Sequence, residues 1–191
     1  MFSKAPLPSK AGAQPERASF WDRFARRPRD RDRLLPLYEA VVARARDPFW
    51  YREGQVPDSV DGRFDLLAAF MALVLIRFEI EPGDAPRQDM VLLTETFIAD
   101  MDESLHQIGI GEYVVGKHVG RMMGALGGRL TAFREAVRDR DFTGPVRRNI
   151  FHEAPPSQAL VDLVAARLER FDAALLAAPY AELAAGRLPP A

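Results

Sequence analysis

The sequence predicts an all-α protein: a single compact multi-helix domain with a disordered N-terminal tail. Apolar residues recur at spacings of three and four along nearly every segment after the first eighteen, and no stretch alternates long enough to make a half-buried strand. The 191 residues, 48% of them apolar, suffice for one sizeable core, and the length favours one domain over two. Cysteine is absent, so disulfides, thiolate nucleophiles and Cys-ligated metal cannot organise the chain.

In chain order, residues 1–16 read as the disordered tail. Met1 to Ala18 is rich in Ala, Pro, Ser and Lys and lacks the apolar stretch of a secretory signal, which predicts a cytoplasmic protein. Residues 17–33 form a basic amphipathic segment, with Phe20, Trp21 and Phe24 on one side, Arg23, Arg26 and Arg27 around them, and a stop at Pro28. The helical domain spans residues 34–178. Leu34, Tyr38, Val41 and Ala45 mark its first helix, which must end before Asp47-Pro48 because a residue preceding proline is pushed out of the helical region. The aromatic trio Phe49-Trp50-Tyr51 then falls in a loop.

Asp58 to Asp61 offers N-cap candidates for a buried helix reaching Ile80, where Glu81-Pro82-Gly83-Asp84 breaks it. Its apolar run, Leu66 to Ile76, is far short of the roughly 20 residues a bilayer span requires. From Arg87 to Ile108 the pattern is amphipathic: Met90, Phe97, Ile98, Met101, Leu105 and Ile108 face the core, and Asp89, Thr96, Asp100, Glu103 and Gln107 face water. Gly109 and Gly111 end that helix. Helices over 112–126, 129–139, 145–151 and 157–177 follow, the last with a stripe of Leu160, Val164, Leu168, Phe171 and Leu175. Residues 179–191 read as a fraying C-terminal tail.

Catalytic equipment is hard to find. Glu103 and His106 have the Glu-x-x-His spacing of helical di-iron sites, but neither His118 nor His152 has a glutamate three residues earlier to make the second pair. Asp100 and Glu103 lie opposite the apolar stripe, in water, where paired carboxylates gain nothing for acid-base work. No strand precedes Gly109-x-Gly111, and the sequence has no Gly-Lys-Ser/Thr and no Gly-x-Ser-x-Gly. The expectation is a binding protein without metal or cofactor.

Two features point to binding. Glycine recurs at Gly116, Gly120, Gly124 and Gly128, more than a quarter-turn from the stripe of Val115, Val119, Met122 and Leu126, in phase with Tyr113 and beside Lys117 and Arg121. Each helical glycine costs about 1 kcal/mol relative to alanine. Either another helix of the domain packs closely on this bare face or it receives an external helix, unless Gly127-Gly128 simply breaks the helix. Charge is the second feature. The net charge of −1 hides opposed blocks: +5 over Met1–Arg33 (9 basic, 4 acidic), −8 over Glu79–Glu112 (1 and 9) and +5 over Lys117–Arg148 (8 and 3). The basic blocks suit phosphate backbones or anionic membranes, or are solvated helix faces. The aromatics of the N-terminal block favour it for ribosome or membrane contact. A competing class is an RNA- or ribosome-surface module carried by Arg121, Arg129, Arg134, Arg138, Arg147 and Arg148, with no specific DNA partner.

Two stretches are distinctive in combination. One is Asp58-Ser-Val-Asp61-Gly62-Arg63-Phe64-Asp65-Leu-Leu67. The other runs from Phe97 through Asp100-Met101-Asp102, Gly109-x-Gly111 and Val115-Gly116-Lys117, followed by Gly128-Arg129 and Ala132-Phe133. With them the chain, from Leu34 to Ala177, resembles the ubiquinol-cytochrome c chaperone family of cytochrome bc1 assembly factors. His106-Gln107 and Glu112 stand where that family usually has other residues. The resemblance implies a non-enzymatic chaperone that binds newly made cytochrome b near the ribosome and the inner membrane, alongside a small partner protein. For the motif residues Asp61, Gly62, Arg63, Phe64, Asp65, Gly109 and Gly111 two readings stay open: a helix start with its salt bridges and a turn, or partner contact. Asp100, Met101, Asp102 and Lys117 belong to the same motif, and the phase of Asp100 outside the core suits contact.

Overall fold

The computed structural model describes residues 33–107, 112–152 and 157–191, with backbone alone for helical residues 105–107 and 112–119. All regular structure among them is helical: α1 (Leu35–Ala45), α2 (Pro48–Arg52), α3 (Val60–Glu79), α4 (Asp84–Gln107), α5 (Glu112–Asp139), α6 (Thr143–Asn149), α7 (Gln158–Ala177) and α8 (Tyr180–Ala184).

Helix α3 is the axis of the fold. Ser59 caps it, its hydroxyl accepting from the Gly62 amide at 3.1 Å, and every residue from Asp65 to Phe78 is buried. A helix apolar all round must be wrapped, and α1, α4, α5 and α7 wrap it, with α5 the most extensive neighbour. Aromatic contacts tie the layers. The Phe70 ring lies 4.8 Å from Phe171 of α7 and 5.6 Å from Trp50, and Phe64 lies 6.1 Å from Phe97 of α4. Arg77, at the apolar run's end, donates to the Leu175 and Ala178 carbonyls and pairs with Glu81, so its charge is satisfied where α7 ends.

Four local expectations need correction. The aromatic trio is not a loop: Pro48 opens α2, the Asp47 carboxylate accepts from the Phe49 amide at 2.9 Å, and the fully buried Trp50 donates its indole N–H to the Arg44 carbonyl. The Gly127-Gly128 pair does not break α5, which runs unbroken for 28 residues. Leu126 before the pair and Arg129, Phe133 and Ala136 after it are all buried, so packing on both sides outweighs the propensity cost of two glycines.

The third correction concerns α4. Asp89, assigned by phase to the water side, has no exposed surface; it pairs with Arg33 and accepts a 2.6 Å bond from the Tyr180 hydroxyl. Burial, followed by that bond to Asp89, raises the Tyr180 phenol above its ordinary range. Finally, residues 179–191 do not fray. Leu183 and Leu188 are buried, Arg44 donates to the Leu188 and Pro189 carbonyls, and Arg167 donates to that of Ala191. Gly186 adopts φ +83° against α1, where a Cβ would lie 2.7 Å from the Pro36 carbonyl carbon. None of the described helices is long and apolar enough to cross a membrane.

Candidate partner-binding site

Helix α5 has two unlike faces. Leu126, Arg129, Phe133 and Ala136 turn inward to the core. At 100° per residue, Gly120, Gly124, Gly127, Thr131 and Arg138 fall on the opposite side, with Gly128 at its edge. Gly120, Gly124, Gly127 and Gly128 are exposed, and a Cβ built on any of them would meet no heavy atom within 4 Å. No helix of the described domain covers this face, which removes close packing against the described helices as the reason for these four glycines. From Gly120 to Gly128 they leave a bare strip about 12 Å long at 1.5 Å per residue. Arg121 is exposed next to it. Farther along, Arg134 pairs with Glu79 at 2.6 Å and Arg138 with Asp139 at 2.7 Å, so the strip gives way to neutralised charge.

The opposite face is held by the Asp61–Asp65 motif. Gly62 is obligatory, because a Cβ there would lie 2.0 Å from the Pro57 carbonyl oxygen. Arg63 is exposed and donates to Asp58 at 2.7 Å. Phe64 packs on Phe97, with the Arg129 guanidinium 5.4 Å from its ring centre. Asp65, 2% exposed, accepts from Arg129 Nη2, and Arg129, 8% exposed, also donates to the Ala125 carbonyl at 3.1 Å. The second Asp65 oxygen has no hydrogen-bond partner among the described residues and faces His152 Nε2 at 3.6 Å. Burial pushes the Asp65 carboxyl above the usual carboxylate range, against the opposing pull of Arg129 and then His152. The pair fastens α5 to α3 and fixes which side of α5 meets water. Asp61 is exposed and lines, with His152, a cleft of about 220 Å³ beside the pair.

The remaining predicted residues are dispersed. Asp100 does not stand free: it accepts a 2.6 Å bond from the Tyr38 hydroxyl of α1, and burial, then this bond, raises that phenol. Met101 packs partly on the core, and Asp102 is half-buried on α4. Tyr113, Gly116 and Lys117 lie in the first turns of α5, where the backbone alone is described. Gly109 and Gly111 fall outside the described residues, as do Phe20, Trp21, Arg23, Phe24, Arg26 and Arg27. Among the described residues no group of His, Asp and Glu could hold a metal ion.

Sequence reasoning missed the Asp65–Arg129–His152 cluster and the Asp89–Tyr180 bond. A signal existed for the first: Arg129 falls in phase with Leu126 and Phe133, and an arginine at a core position needs a buried acid. Four of the six arginines of the RNA-surface reading lose their independence. Arg129 is buried, Arg134 and Arg138 are paired, and Arg147 bonds Gln158.

A family model described as ubiquinol-cytochrome C chaperone matches residues 52–189. The fold is similar to the crystal structure of the Cbp3 homolog from Brucella abortus, with a TM-score of 0.72 and 28% identity over 82% of this chain and 87% of that one. No curated protein matches the chain.

Proposed function

The chain belongs to the ubiquinol-cytochrome c chaperone family, and from that premise we propose that it is a non-enzymatic assembly factor for the cytochrome bc1 complex that binds newly made cytochrome b through the open glycine face of α5. The observation that carries the proposal is the bare face itself. Four glycines in one helix cost roughly 4 kcal/mol against alanine, and nothing in the described domain packs on them in return. An apolar client helix could bring its backbone close to such a face, as small residues permit between helices in membranes.

In this reading the core side of α5, anchored by Asp65 and Arg129, keeps the glycine side outward while the client is held. The N-terminal segment with Phe20, Trp21 and Phe24 would add contact with the ribosome or the inner membrane, and a small partner protein would share the work. The test is co-purification of cytochrome b with tagged protein carrying Gly120→Leu or Gly124→Leu. Capture should be lost while thermal unfolding stays at or above the wild-type value. Full capture by both variants would remove the glycine face from the function.

A further inference from the structure

The end of α1, helix α2 and the first turn of α3 surround an open cleft of about 440 Å³ lined by Arg46, Pro48, Tyr51, Arg52, Asp58 and Arg63. Its charge is unbalanced, with three guanidinium groups against one carboxylate, and that carboxylate, Asp58, is already held by Arg63 at 2.7 Å. Arg46 and Arg52 are exposed, and their guanidinium groups make no ion pair or hydrogen bond among the described residues. Tyr51 is held in place, its hydroxyl donating to the Ala45 carbonyl at 2.9 Å. Burial raises this phenol above its ordinary range, with Arg63 and Arg46 opposing and Asp58 adding to the rise, and the same residues line the cleft with Arg52. None of its lining residues belongs to α5.

We propose that the cleft receives a phosphate group, presented by the headgroup of an anionic phospholipid. Planar guanidinium groups bind phosphate oxygens in pairs, and Arg46 and Arg52, which no carboxylate of the cleft engages, can hold one phosphate beside Arg63, whose Nε is committed to Asp58. Val60 favours a lipid as the source. It lies one turn before Arg63 on α3 and is 67% exposed, a bare apolar side chain beside a basic cleft, as at the headgroup boundary of a bilayer. A nucleic-acid site would instead offer an exposed aromatic face for stacking, and Tyr51 is half-buried with its hydroxyl occupied.

The test compares the full chain with Arg46→Gln/Arg52→Gln and with a charge-matched control, Arg148→Gln/Arg170→Gln, in sedimentation with phosphatidylglycerol-containing and pure phosphatidylcholine vesicles. Soluble glycerol phosphate and an RNA oligomer serve as further probes. The wild type should bind only the anionic vesicles. The cleft pair should weaken that binding roughly 30-fold, the usual share of an arginine at an anionic surface taken twice, and the control pair far less. Glycerol phosphate should shift the Tyr51 ring resonances of the wild type and not of the cleft variant. Unchanged thermal unfolding of both variants would confirm that exposed side chains alone were altered. Equal weakening by both pairs would overturn the proposal, as would vesicle binding indifferent to the cleft pair. So would a Tyr51 response to glycerol phosphate without vesicle binding, which would mark a free-phosphate site, or loss of RNA binding alone.

Discussion

Replacing Gly124, Gly127 and Gly128 together by alanine is expected to make the protein more stable, an outcome opposite to that for glycines at packed helix contacts. Each built Cβ meets no heavy atom within 4 Å, so the substitution neither clashes nor gains packing. None of the three has a positive φ, so alanine fits the backbone as it stands. What remains is intrinsic propensity, about 1 kcal/mol per site and thus roughly 3 kcal/mol for the triple variant. For a domain of this length each kcal/mol moves Tm by about 2–4 °C, so a rise of roughly 6–12 °C should appear in calorimetry or in thermal melts followed by circular dichroism. The m-value in urea should not change. A triple variant with an unchanged or lower Tm would mean that the added methyl groups meet something and that the α5 face is covered by the chain or by a second copy. The expected exchange of stability against client capture is the usual one for a surface kept suboptimal for binding.

Three further outcomes follow from the packing. Gly62→Ala should destabilise by about 1–3 kcal/mol in chemical denaturation, since its Cβ would sit 2.0 Å from the Pro57 carbonyl oxygen and the start of α3 would have to shift. Arg129→Met alone should cost about 3–5 kcal/mol by stranding buried Asp65, whereas Asp65→Leu with Arg129→Met should recover most of that loss; a double variant as unstable as the single would show that the pair is not the source. Asp172, 2% exposed and with Arg140 3.5 Å away, has its carboxyl raised chiefly by burial. A folded pKa above the unfolded value contributes stability that is present at low pH and lost as pH rises through the folded value. Wild type should therefore gain on Asp172→Asn in urea midpoints measured from pH 7 down to pH 4, and a constant difference would contradict this.

Much of the fold was legible because α3 and α7 advertise themselves. An uninterrupted apolar run of this length after a Ser/Asp cluster reads as a wrapped helix, and the α7 stripe holds at Val164, Leu168, Phe171 and Leu175, with Val161 buried in place of Leu160. Legibility failed where a helix meets more than one neighbour. A single-face reading of α4 assigns Asp89 to water because it cannot see that α8 closes over it with Tyr180. It misses the Tyr38–Asp100 bond in the same way. The Gly127-Gly128 pair was ambiguous because propensity registers the cost of two glycines but not the flanking anchors Leu126 and Arg129. At the site, the glycine spacing was plain in the sequence, but whether the face was open or covered depends on what lies beside it, which no helical phase can tell. The cleft of Arg46, Arg52 and Arg63 is invisible for the same reason: its lining comes from the end of α1, from α2 and from the start of α3, and sequence pattern alone makes α2 a loop.

The most direct measurement is the amount of assembled cytochrome bc1 complex in cells lacking this protein and complemented with either the wild type or Gly124→Leu at matched protein levels. The deletion should deplete the complex, the wild type should restore it and Gly124→Leu should not. Restoration by Gly124→Leu would contradict the role of the α5 face, and a normal level of complex in the deletion strain would contradict the assembly function itself.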